Sequence, residues 1–193
     1  MSRAPPGEPA ATRAPRDVPC ASLCATSKPN APKARKGLER PMTRIDFYVL
    51  DALRRDAREH FAARLAAKAV RAGQRPLVLC DDDAGRSRFS ALCWNLPGTF
   101  LPTAALHAPD ASSAPVLLAL EPELDGLGPA PLPAHEWLIN LRLARSAHFA
   151  AFDRVAEIIC QDDAVREAGR GHYRFYRERG YPLHHHELKG REA

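Results

Sequence analysis

The stretch DDAVREAGRGHYRFYRERGYPL, residues 162–183, holds the densest set of side chains suited to binding an anion. Wound as a helix at about 100° per residue, it gathers Arg166, Arg170, Tyr173, Arg174 and Arg177 on one arc. Val165, Ala168, Gly169, His172, Phe175, Tyr176 and Arg179 fall on the opposite side. Guanidiniums present forked, permanently charged donors, and a tyrosine among them adds an apolar surface. The chemistry such a face can do is capture of a ligand that is both anionic and partly apolar. The plainer reading is a solvated, arginine-rich surface helix.

Two other clusters carry chemical potential. Asp81, Asp82 and Asp83 follow an apolar run, at the kind of strand end where open α/β sheets place ligands. Three carboxylates can hold Mg²⁺ for phosphoryl chemistry, which gives one alternative function: a Mg²⁺-dependent phosphatase or nucleotide-handling enzyme using Asp81–Asp83. Adjacent side chains do not converge, however, and no Gly-rich phosphate loop or GxGxxG accompanies them. The competing expectation is that Asp83 caps the following helix while its neighbours favour the positive helix end. His184, His185 and His186 form a His-rich tract that reads as a mobile tail rather than a metal site. No catalytic residue, cofactor or metal is expected.

The elements that must position these residues follow from hydrophobic pattern. Ile45–Leu50 is a short apolar run of strand formers; Leu53, Ala57, Phe61, Leu65 and Ala69 then recur every fourth residue until Gly73, and Pro76–Cys80 is a second buried strand. Strand, helix and strand make a βαβ unit, which requires parallel pairing. A helix over residues 84–95 carries Phe89, Leu92, Cys93 and Leu96 on one stripe and throws Trp94 to the other side. Residues 103–114 read as a polar loop, Val116–Leu120 as a third strand, 121–133 as a Gly/Pro-rich connection, and Trp137–Leu141 as a fourth strand. Phe149 and Phe152 anchor a short helix leading into a fifth strand, Ala156–Cys160, and Asp162 or Asp163 caps the arginine helix. The expected fold is a single open, mostly parallel α/β sheet flanked by helices, Rossmann-like in topology and without a nucleotide site.

Charge confines where an anion can bind. The chain carries 28 Lys and Arg against 23 Asp and Glu, yet its whole excess of +5 lies in residues 1–41, and residues 42–193 hold 20 of each. Whole-domain attraction to DNA is therefore not expected, and contact with nucleic acid would be indirect. Residues 1–41 contain eight of the 18 prolines and read as a disordered leader, either a basic arm for nucleic acid, a transit peptide or, as expected here, a stretch preceding a true start at Met42, where the ordered pattern begins. Five cysteines show no CxxC pairing, and Cys80, Cys93 and Cys160 lie in apolar runs as small buried hydrophobes of a reduced, cytosolic protein. No apolar run approaches the ~20 residues that span a bilayer.

Six segments together resemble the chi subunit of bacterial DNA polymerase III: DFYVLD at 46–51, RPLVLCDDD at 75–83, ALCW at 91–94, TFLP at 99–102, LINL at 138–141 and YRFYRERGYPL at 173–183. The last is the most specific. The resemblance covers residues 42–183 and implies a non-catalytic adaptor of the bacterial replisome. It implies a pocket for the acidic, phenylalanine-ended C-terminal tail of single-stranded DNA-binding protein. That pocket would use Arg166, Arg170, Tyr173 and Arg174, with Ile159 and the turn Gly180–Leu183 as apolar wall. It also implies a second surface, Trp94, Phe100, Leu101 and Pro102, for the psi subunit or a psi-like clamp-loader or helicase partner. At 174 the chain has arginine where the best-known relatives have lysine, which keeps the charge and changes the donor geometry.

Overall fold

The computed structural model describes residues 42–125 and 136–188. The proposed leader, the second half of the Gly/Pro-rich connection and the last five residues lie outside them. In chain order the elements are β1 (Arg44–Leu50), α1 (Asp56–Arg71), β2 (Pro76–Cys80), α2 (Asp83–Trp94), β3 (Thr103–Ala105), β4 (Val116–Leu120), α3 (Glu121–Asp125), β5 (Trp137–Asn140), β6 (Arg154–Ile159), α4 (Asp163–Glu178) and β7 (Leu183–Leu188). A single 3₁₀ turn, Phe149–Ala151, precedes β6.

Seven strands form one sheet in the order β3-β4-β2-β5-β6-β1-β7, and every pairing is parallel. The central strands β2 and β5 are buried along their whole length, as a parallel sheet covered on both faces demands. On one face, Tyr48, Leu50, Val78, Ile139 and Ile158 pack under α1 and α2. Alanines at 62, 63, 66, 67 and 69 bring α1 close to the sheet, and its acidic first turn and basic last turn complement the helix dipole. On the other face, Phe47, Leu79, Leu138, Val155, Phe149 and Tyr176 build the core beneath α4.

Three expectations need correction. Leu53 does not begin α1; it sits in the preceding turn, 77% exposed. Part of the stretch read as a polar loop contributes the edge strand β3, whose Thr-Ala-Ala has too few side chains to make a pattern. The three histidines are not a mobile tail but the middle of the opposite edge strand, β7. Their imidazoles alternate across that strand: His185 stacks on Phe47 with ring centroids 5.6 Å apart, and His186 stacks on Tyr48 at 4.7 Å. Aromatic stacking replaces the aliphatic alternation that usually marks a strand.

Candidate functional site

The site is built around α4. Asp162 caps the helix by accepting a bond from the Val165 amide at 3.1 Å, and the same oxygen receives Arg55 Nη2 at 3.0 Å. The helix runs unbroken through Gly169 and Gly171. Below it lies Glu157, buried in β6, which accepts Tyr176 OH at 3.1 Å, a ring N–H of His172 at 3.2 Å and Asn140 Nδ2 at 3.1 Å. Burial, together with the neighbouring carboxylate, pushes the Tyr176 hydroxyl far above its ordinary pKa, so it remains a donor. This buried cluster fastens α4 to the sheet in one orientation. Gly180, at φ +74°, then turns the chain into β7.

Between α4 and strands β1, β6 and β7 lies a cavity of about 720 Å³. Phe47, Val49 and Ile159 are its apolar floor. Tyr173 packs edge-on against Phe47 at 5.6 Å and tilts toward His185 at 5.1 Å, so an aromatic wall rises from that floor. Gly169 is what lets the helix sit so low: a Cβ there would lie 2.4 Å from Ile159 Cδ1. Arg166, Arg170 and Arg174 line the opening, with Gln161 and Glu167 between them. The guanidiniums lean on local carboxylates, Arg166 on Asp163 at 3.5 Å, Arg170 on Glu167 at 3.3 Å and Arg174 on Glu167 at 4.0 Å.

Five of the residues singled out in the sequence, Ile159, Arg166, Arg170, Tyr173 and Arg174, thus line one cavity. Gly180 and Leu183 do not. Leu183 is in register with Ile45, at the start of the sheet, whereas the cavity opens at the level of Phe47 and Val49. Phe47, Val49 and His185 supply the apolar wall instead. Phe47 and Val49 were legible only as core strand residues, since nothing local shows that they border a cavity. Tyr173, assigned to the solvent arc, stands at the boundary between arc and core.

A second surface lies on the far side. Trp94 and Phe100 are 55% and 58% exposed and meet edge to face at 4.6 Å, and Pro102, two residues on from Phe100, is half-buried. Leu101 is corrected: it is 2% exposed, its amide donates to the Cys93 carbonyl at 3.3 Å, and its side chain belongs to the core. A cavity of about 420 Å³ opens next to Trp94, between α2 and β3.

The acidic triplet is spread over three local tasks. Asp82, not Asp83, caps α2 by accepting the Gly85 amide at 2.6 Å; Asp83 pairs with Arg86; Asp81 faces Arg142 at 3.9 Å. The carboxylates point to different neighbours. Cys80, Cys93 and Cys160 are buried free thiols, and burial pushes the first two up to about 12. Among the described residues no helix is long and apolar enough to cross a membrane.

The family described as "DNA polymerase III chi subunit, HolC" matches residues 42–184. The DNA polymerase III subunit chi of Pseudomonas aeruginosa is 40% identical over 148 residues, covering 76% of this chain and 98% of the relative. That of Escherichia coli is 26% identical over 147 residues, 74% of this chain and 96% of the relative. Among solved structures, T4 UvsW superposes with a TM-score of 0.58 at 8% identity, over 76% of this chain and 41% of that one, a likeness of fold alone. The family is a non-catalytic one, which sets aside an enzyme built on Asp81–Asp83. From the matched span and the identity to its relatives, this chain belongs to the chi subunit family of DNA polymerase III, an accessory subunit acting in replication.

Proposed function

We propose that this chi subunit is a replication adaptor whose α4 cavity takes the acidic C-terminal tail of single-stranded DNA-binding protein. The observation that carries the reading is the joining of an apolar floor and an aromatic wall to a guanidinium rim in one opening, Phe47, Val49 and Ile159 with Tyr173 below, Arg166, Arg170 and Arg174 above. A phenylalanine-ended acidic peptide matches that division: its ring fits the floor, and its carboxylates fit the rim. Charge-assisted bonds contribute about 1.5–3 kcal/mol each, against the cost of ordering a free peptide, which sets an affinity near the micromolar range that weakens with salt. Such a contact can be passed on during replication.

Titration calorimetry with a synthetic acidic peptide ending in phenylalanine tests the pocket. Arg174→Ala is expected to weaken binding at least several-fold, and unchanged affinity would reject the assignment.

The same reading gives Trp94, Phe100 and Pro102 to psi or a psi-like partner. Exposed tryptophan paired with a second exposed aromatic is the composition that anchors protein interfaces. Of the two tryptophans, Trp94 is open and Trp137 is buried. Acrylamide should quench Trp94 emission in the free protein and lose access on complex formation; protection of both residues in the free chain would remove this surface.

A further inference from the structure

The cavity lining contains one acidic side chain, and it is paired with the rim arginines. Glu167 lies in the rim among three arginines. One of its oxygens is 3.3 Å from Arg170 Nη1 and the other 4.0 Å from Arg174 Nη2, so a single carboxylate spans both guanidiniums. It is two-thirds exposed, hence neither buried nor needed for packing. The spacing from 167 to 170 is about one helical turn, which keeps the carboxylate within reach of Arg170, in the cavity rim, whenever α4 is formed. An incoming carboxylate must find the same donors. Glu167 therefore has the position of an internal substitute for the ligand.

We propose that Glu167 is a built-in competitor: in the free protein it engages Arg170 and Arg174, and an acidic peptide binds by displacing it. This deepens the tail-binding reading and rests on it. The contact keeps the guanidiniums ordered and partly neutralised until a ligand with better geometry arrives. It also lowers affinity, which suits a contact that must be released. Each exposed pair of this kind is weak, so the effect is modest and measurable only as a ratio.

The test is fluorescence anisotropy with the full-length chain and a synthetic acidic, phenylalanine-ended peptide labelled at its amino end. Glu167→Gln is expected to tighten binding about two- to fivefold, the combined effect of two weak exposed ion pairs. Glu178→Gln removes the same charge from the same helix, outside the cavity lining, and is expected to have a smaller effect. In an Arg170→Ala/Arg174→Ala background the gain from Glu167→Gln should vanish, since the competitor then has nothing to occupy. Wild-type binding with Glu167→Gln equal or weaker overturns the competitor alone. A gain matched by Glu178→Gln, or surviving loss of both arginines, also overturns it by reducing the effect to general charge. Failure of the wild-type chain to bind the peptide overturns the tail reading and the competitor with it.

Discussion

Asp46 has no exposed surface, yet it sits in the middle of an apolar strand. It accepts bonds from Arg44 and His186 and pairs with Arg154. Burial alone would push its carboxyl up; the bonds from His186, Arg44 and Arg154 outweigh that and hold it below its ordinary value of 3.8. A depressed folded pKa means stability present above the ordinary carboxylate range and lost as pH falls through the folded value. Asp46→Asn should therefore cost about 1–3 kcal/mol at pH 7, by removing the charge from the carboxylate that Arg44, Arg154 and His186 share. The difference from wild type should shrink as acid titrates Asp46, which denaturant melts at pH 7 and below pH 4 would show. Tyr176→Phe is the second case: it removes a donor from buried Glu157 and should cost about 1–3 kcal/mol. Neither carboxylate was legible as a structural centre. Arg44 is two positions from Asp46, but its other bonded partners, Arg154 and His186, lie 108 and 140 positions away, and an acid in an apolar run has no local signature of such distant pairing.

Helix α4 was the most legible element, because a charge-segregated helical period and a capping aspartate agree with each other. The two interior glycines separate propensity from packing. A Cβ at Gly171 meets nothing within 4 Å, so Gly171→Ala should stabilise by up to about 1 kcal/mol and leave peptide affinity unchanged. A Cβ at Gly169 would meet Ile159 on the cavity floor, so Gly169→Ala should forfeit that gain and weaken peptide binding. Equal stabilisation by both, with equal affinity, would mean that helix and strand are not tightly apposed there. Strand β7 was the least legible element. Its order comes from pairing with β1 and from imidazoles lying on Phe47 and Tyr48, and a histidine tract shows neither in isolation. Central strands were readable because burial on both faces writes itself as an unbroken apolar run, whereas edge strands carry half that signal.

At the scale of the molecule, one parallel sheet separates two candidate contact surfaces, the arginine-rimmed cavity beside α4 and the Trp94–Phe100 pair at the end of α2. The sheet and its helices lie within residues 42–125 and 136–188, and we expect residues 42–193 to melt at the temperature of the full chain, by calorimetry; a lowered transition would show that residues 1–41 contribute to the fold. Zero net charge over residues 42–193 leaves specificity to the local rim rather than to a general field. The central claim is that one cavity, not a diffuse basic face, receives an acidic aromatic tail. The most direct measurement is amide chemical-shift mapping of the ¹⁵N-labelled protein titrated with that peptide. Peptide seated in the cavity will give shifts centred on Phe47, Ile159, Gly169, Tyr173 and His185, with the Trp94 surface silent. Shifts centred on Trp94 and Phe100, or scattered along exposed arginines without the apolar floor, would contradict it.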